Sequence, residues 1–221
     1  MTHLTDISVQ FLKGVGPARK KILENLGVQN IEDLLYLFPR RYEDRTKMTP
    51  LSQIKVGQPQ TVTGKVIARG SRQSWFTHKH VYETVIDDGT GRIFAVWFNQ
   101  PYLDNYFKPG TQVVLYGQAA VYKNRIQMIA PEYEIIDNSD KSLSMGRIVP
   151  IYPLTKGISQ RYLRKIIALS IKTYSAQLAD HLPVAIRNKH HLLNIRHSLT
   201  NIHFPENQTL QLEAQRRISF E

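Results

Sequence analysis

The chain has 221 residues, 42% of them hydrophobic and 21% charged, which is enough to build a core and too apolar for a disordered tail. Its 29 Lys and Arg against 18 Asp and Glu leave a net charge of +11, pointing first to nucleic acid as a partner and second to an anionic membrane. Cysteine is absent, which excludes disulfides, thiolate metal sites and cysteine nucleophiles; with no apolar run near about 18 residues and no signal peptide, a soluble cytoplasmic protein, or a piece of one, is expected.

Residues 7–38 read as helical. Ile7, Phe11 and Leu12 share a face before Gly14-Val15-Gly16-Pro17, and Ala18, Ile22, Leu23 and Leu26 recur at helical spacing after it. Pro17 suits a first helical turn, Gly27 ends that helix, and another runs from about Ile31 to Phe38. From Gln60 the period changes to two. Strands are expected around Val62–Ala68, Val81–Ile86, Arg92–Phe98, Thr111–Gln118 and Arg125–Ile129, with a turn at Asp87-Asp88-Gly89-Thr90-Gly91 and a short helix over Tyr102–Phe107. That order is the order of an OB-fold. Beyond a polar linker from Asn138 to Gly146 and an extended stretch from Arg147 to Pro153, a long helix spans Gln160 to Gln177. Leu163, Ile166, Ile167 and Ile171 form its buried side, and Arg161, Arg164, Lys165 and Lys172 its polar side. Leu182–Pro205 reads as irregular or short-helical. The last apolar-periodic run, Leu210–Phe220, meets no stop signal, as expected for part of a longer protein.

The expectation is thus an α+β chain of three domains: an N-terminal helical hairpin region (1–58), a five-stranded OB-fold β-barrel (59–137), and a linker with a C-terminal helical connector (138–221). The last carries net +7.

Gly14-Val15-Gly16 with Ala18 behind it has the pattern of a helix-hairpin-helix turn, where glycines let backbone approach a phosphate; Lys13 and Lys20 flank it. The first hairpin loop of the middle domain holds Arg69, Arg72, Trp75, Phe76, His78 and Lys79 and no acid. Cations interleaved with rings suit single-strand binding, since cations neutralise phosphates and rings stack bases. Trp97, Phe98 and Tyr102 follow at the end of the third strand. Adjacent strand residues face opposite ways, so Trp97 and Phe98 cannot both lie in the core. No phosphate loop, catalytic triad or metal-ligand spacing occurs; His190-His191 lacks partners at ligand spacing, and Asp87-Asp88 reads as a turn rather than a carboxylate pair.

Certain stretches carry a resemblance. They are Leu12-Lys13-Gly14-Val15-Gly16-Pro17, Phe38-Pro39-Arg40-Arg41-Tyr42-Glu43-Asp44-Arg45, Trp97-Phe98-Asn99, Tyr152-Pro153-Leu154-Thr155-Lys156-Gly157, Ile202-His203-Phe204-Pro205 and Ala214-Gln215-Arg216-Arg217. In family order and spread along nearly the whole chain, they make it resemble the N-terminal portion of the RecG family, bacterial ATP-dependent DNA helicases acting on branched DNA in repair and recombination. The resemblance implies a wedge that sits at replication forks and Holliday junctions and splits them. Phe98 and Tyr102 would stack on the bases where the arms part, and a C-terminal motor using ATP and Mg would supply movement. The motor's motifs are absent from these 221 residues, so no catalytic residue and no cofactor is expected here. A stand-alone RNA-binding OB-fold protein is the alternative, and a protein–protein adaptor a third reading.

Overall fold

The computed structural model describes residues 3–73, 80–136 and 146–220. In chain order its helices and strands are α1 (Gly16–Glu24), α2 (Ile31–Leu35), β1 (Arg41–Asp44), β2 (Pro59–Gln73), β3 (His80–Asp87), β4 (Arg92–Phe98), β5 (Gln112–Tyr122), β6 (Arg125–Ile129), β7 (Glu132–Ile135), β8 (Ile148–Ile151), α3 (Gln160–Tyr174), α4 (Val184–His190), α5 (Ile195–His203) and α6 (Gln208–Phe220), with short 3-10 turns between some of them. They fall into two compact units. One is Arg45–Gly146; the other combines Met1–Asp44 with Arg147–Glu221.

In the Arg45–Gly146 unit the sheet order is β2-β3-β4-β6-β5-β7, with β2 also paired to β5 over Pro59–Lys65 and with β4 and β6 running parallel. The five-stranded OB-fold β-barrel expected from sequence is corrected accordingly. The architecture is a six-stranded mixed sheet that ends on an edge strand, β7, paired with β5 through Val113–Tyr116. Ala130, at a φ of +47°, and Pro131 redirect the chain so that Glu132–Ile135 lies extended beside β5. Four residues behind a proline are too short to show a period in sequence.

The long β2 serves two neighbours, β5 with its first half and β3 with its second. Gly64 sits where they change over. A Cβ there would stand 2.7 Å from the Asp87 carbonyl oxygen and 2.8 Å from Ile86 Cγ2, so only glycine lets the strands approach this closely. Alternation then sorts the side chains. Val62, Val66, Tyr82, Ile86, Ile93, Trp97, Val113, Leu115 and Met128 meet in one core with Leu103 and Phe107 from the segment after β4. Arg45 is fully buried beside it. Its guanidinium donates two hydrogen bonds to Glu132 (2.9 and 3.0 Å) and lies 3.7 Å from the Tyr116 ring centroid, so its charge is paired in two directions. The Asp87–Gly91 stretch is the expected turn: Asp88 Oδ1 accepts from the amides of Thr90 (2.8 Å) and Gly91 (3.0 Å).

In the other unit β1 and β8 form a two-stranded antiparallel sheet. The first arm of the expected helical hairpin is a 3-10 turn, Val9–Phe11, rather than a helix. α3 buries Leu163, Ile166 and Ile167 as expected, while Arg161, Lys165 and Lys172 are exposed. Arg164 departs from the expected polar side. It is buried, and its Nε donates to the Pro150 carbonyl at 3.2 Å, because its helical position points at β8 rather than at solvent. His203 is fully buried between the Leu35 carbonyl (Nε2, 2.7 Å) and the Tyr152 hydroxyl (Nδ1, 2.9 Å). A carbonyl only accepts, so Nε2 carries the proton and Nδ1 accepts from Tyr152. Asp180 joins three elements, accepting from the Ile195 amide (2.8 Å) and pairing with Arg187 (3.0 Å) and Arg217 (2.9 Å). Among the described residues no helix is long and apolar enough to cross a membrane, and no group of His, Asp and Glu could hold a metal ion.

Candidate nucleic-acid interface

The sequence-predicted site residues separate at the end of β4. Trp97 faces the core at 2% exposure. Its indole N–H donates to the Pro131 carbonyl at 3.1 Å, and its ring packs 4.9 Å from Phe107 and 5.8 Å, edge-on, from Tyr133. Trp97 therefore has no face to offer a base, and its expected place among the DNA-binding residues is corrected: the pleat sends it inward. The same pleat sends Phe98 outward, at 43% exposure.

The chain then reverses. Asn99 takes a φ of +56°, its amide donates to the His80 carbonyl (2.7 Å), and its Oδ1 accepts from the His80 amide (3.2 Å). Asparagine tolerates this left-handed conformation, and the paired bonds lock the exit of β4 to the start of β3. Pro101 opens a 3-10 turn, Pro101–Asn105, that presents Tyr102 at 52% exposure. Its hydroxyl donates to Gln100 Oε1 at 2.8 Å, and its ring meets Tyr106 edge-on, centroids 6.3 Å apart. Beneath them Leu103 and Phe107 are fully buried and peg the segment to the sheet. Tyr106, equally exposed, was not singled out by sequence reasoning; the signal was the spacing Tyr102, Leu103, Tyr106, Phe107, which alternates rings out and anchors in.

Cations flank the rings from β2. Arg72, Val81 and Phe98 stand in one cross-strand row, so the exposed Arg72 shares the outer face with Phe98. Arg69 lies on the other face. It donates to the Asp104 carbonyl and pairs with the Asp104 carboxylate at 3.2 Å, which ties β2 to the ring-bearing turn. Both charges lie close to Tyr82, whose hydroxyl is pushed up to about 12, by burial first and by Asp104 next, against the pull of Arg69. Ser71 Oγ and His80 Nε2, 2.9 Å apart, close the same end. Trp75, Phe76 and Lys79, along with His78, lie outside the described residues.

Lys13 and Lys20 belong to the other unit. Lys13 is exposed, and Lys20 pairs with Glu24 at 3.9 Å. Gly14 and Gly16 have φ of +92° and +66°, as the expected turn needs, but the Gly14 carbonyl is engaged by the Arg19 guanidinium (2.5 Å) and by the Tyr162 hydroxyl (3.2 Å). The Arg19 guanidinium also lies 4.5 Å from the Tyr162 ring centroid.

A family model described as the RecG wedge domain matches residues 8–174. The ATP-dependent DNA helicase RecG of Thermotoga maritima is 35% identical over 217 residues, covering 96% of this chain and 27% of the relative; that of Synechocystis is 32% identical over 219 residues, covering 91% and 26%. A solved structure described as RecG bound to a three-way DNA junction superposes with a TM-score of 0.83 at 32% identity, over 96% of this chain and 29% of that one. The chain thus spans between a quarter and a third of the length of these relatives. With the wedge model matched across both halves of the molecule and the sequence shared with helicases of that name, the chain belongs to the RecG wedge-domain family.

Proposed function

We propose that this chain is the branched-DNA-binding module of an ATP-dependent DNA helicase, acting at replication forks and Holliday junctions in repair and recombination. The observation that carries the reading is the platform at the end of β4. Phe98 stands exposed at the end of β4 and Tyr102 on the turn pegged by Leu103 and Phe107, with Arg72 on the same outer face as Phe98, one strand beyond Val81. Large exposed rings on a fixed base suit stacking on an unpaired base better than they suit water. Opening one base step loses about 1.4 kcal/mol of stacking, and a protein ring restores about 1–3 kcal/mol. The platform can therefore hold a junction open at little net cost, without driving movement. Movement requires ATP and Mg chemistry in a motor beyond these residues, to which the module would be joined; the module itself supplies no catalytic group.

The test is titration of the 221-residue chain against labelled fork, Holliday junction and blunt linear duplex between about 50 and 200 mM salt. Branched DNA should bind tighter at every salt concentration, with a steep fall in affinity as salt rises. Equal affinity for fork and linear duplex sinks the reading, and preference for RNA of the same shape replaces it with the RNA-binding alternative.

A further inference from the structure

Two kinds of contact hold the Pro101–Asn105 turn that carries Tyr102, and they act in different directions. Leu103 and Phe107 sink into the core and fix its depth. The Tyr106 and Phe107 amides both donate to the Leu103 carbonyl (2.9 and 3.0 Å), so the bonds at the end of the turn converge on one acceptor. Two apolar pegs leave rotation about the line that joins them. A polar contact from beyond the core is needed to fix the bearing of the rings, and Arg69 supplies it.

Arg69 reaches the turn from β2, 35 residues earlier in the chain. It faces Thr84 across the β2–β3 ladder; two residues on, Ser71 faces Tyr82, whose partner on β4 is Trp97. Arg69 therefore stands on the core-facing side of the sheet, opposite to the side of Phe98 and Arg72. Its guanidinium grips Asp104 twice, donating to the backbone carbonyl and pairing with the carboxylate at 3.2 Å. A cation on a carbonyl in the last turn of a helical segment satisfies an acceptor that the segment itself leaves over. Tyr82 is fully buried beneath the pair, with its hydroxyl close to both charges. His80, the other titratable side chain on this side of the ladder, is engaged by Ser71 Oγ at 2.9 Å. The Arg69 and Asp104 side chains are 31% and 51% exposed, and a pair so open to water adds little to folding stability. The acid also cancels the charge that a phosphate would seek. What the pair can do is set geometry.

We infer that Arg69 and Asp104 are positioning residues for the Tyr102 ring: the pair sets the bearing of the Pro101–Asn105 turn and touches no DNA itself. The inference rests on the proposed platform reading.

A phosphate contact and a positioning residue respond oppositely to loss of the acid. If Arg69 bound phosphate, Asp104→Asn would release it and remove a repelling charge, so the 221-residue chain would bind fork DNA more tightly and with a steeper salt dependence. As half of a positioning pair, Asp104→Asn should instead weaken fork binding about 3- to 10-fold, and so should Arg69→Gln. Neither should change the slope of log affinity against log salt, whereas loss of one phosphate contact lowers it by about 0.7–0.9. In a cycle with Tyr102→Ala, Arg69→Gln should cost nothing further, because an absent ring needs no bearing. Without DNA, amide hydrogen exchange at Tyr106 and Phe107 should quicken about 3- to 10-fold in both variants, with thermal midpoints close to that of the parent. Tighter fork binding by Asp104→Asn, a lower salt slope with Arg69→Gln, an additive cycle or unchanged exchange at Tyr106 and Phe107 overturns the inference. So does a large fall in thermal midpoint, which would make the pair a folding element. Failure of the platform reads differently: Tyr102→Ala then binds forks like the parent, while quickened exchange in the DNA-free chain still shows the pair holding the turn.

Discussion

Neighbouring residues Trp97 and Phe98 do opposite work, and substitution should separate them. Trp97→Ala removes a ring packed against Phe107 and Tyr133 and orphans the Pro131 carbonyl, so it should destabilise the unit by about 3–5 kcal/mol in urea titrations. Phe98→Ala should leave the urea midpoint nearly unchanged, since its ring is largely outside the core, and should weaken fork binding by about 1–3 kcal/mol. Tyr102→Ala should do the same, whereas Tyr102→Phe should bind normally, because stacking uses the ring and the hydroxyl reaches only Gln100. His203 makes a different residue-scale prediction. Burial pushes its imidazole down to about 4 from an ordinary 6.5, against the Leu35 hydrogen bond that favours the proton. Between those values the unfolded chain binds more protons than the folded one, so the contribution to stability is whole above about pH 6.5 and is lost as pH falls toward 4, by roughly 3 kcal/mol in all. Urea midpoints measured from pH 7 to 4.5 should fall less steeply in His203→Gln than in the parent.

At the scale of elements, two glycine- and asparagine-dependent devices shape the proposed interface. Gly64 lets β2 pass from β5 to β3, and Gly64→Ala would drive a methyl group into the Asp87 carbonyl and the Ile86 side chain. The strands must part there, so a loss of about 1–3 kcal/mol is expected in denaturant titrations. Asn99 closes β4 onto His80 and aims the 3-10 turn that carries Tyr102. The turn is short and irregular, yet Leu103 and Phe107 bury it as firmly as any strand, which explains how exposed rings can stand on something other than regular structure.

At the scale of the whole molecule, the chain crosses from one unit to the other twice, near residues 45 and 146. The Arg40–Arg45 stretch at the first crossing is structural on both sides. Within one unit, Tyr42 donates its hydroxyl proton to the Ile202 carbonyl at 2.5 Å; within the other, Arg45 is buried against Glu132 and Tyr116. Glu132→Ala should remove one partner of the buried Arg45 guanidinium and cost about 1–3 kcal/mol, read by thermal or urea unfolding, while Glu132→Gln, which keeps one acceptor, should cost less. For the 221 residues as a whole, ATP turnover in the presence of fork DNA should stay at the level of a protein-free blank, because the sequence carries no phosphate loop. A coupled phosphate-release assay checks this.

The parts of this protein legible in sequence are those governed by local chemistry. The unbroken apolar run that closes Arg92–Phe98 and the alternation of Arg125–Ile129 mark β4 and β6 residue for residue, the Asp-Asp-Gly turn has its own hydrogen bonds, and α3 starts at Gln160 where Ser159 caps it by accepting from the Tyr162 amide. The ring-rich end of β4 was visible too, because Trp97 and Phe98 are large, adjacent and bound to face opposite ways. Alternation alone left open which of the two turned inward, the resemblance put Phe98 outward, and the Phe107–Tyr133 cluster holds Trp97 inside. Tertiary contact alone decided the rest. Four-residue strands such as β1 and β7 gain their hydrogen bonds from partners outside the segment, so no local period announces them; β8 lies within the stretch that reads as extended, and its pairing with β1 is what the fold adds. Arg164 sits on a helix face whose polarity depends on what packs against it, and Arg69 acquires its partner only when the turn after β4 is laid beside β2. Composition and spacing determine what a segment can become; which of its faces is buried is settled by the partner it meets, and that partner lies outside the segment.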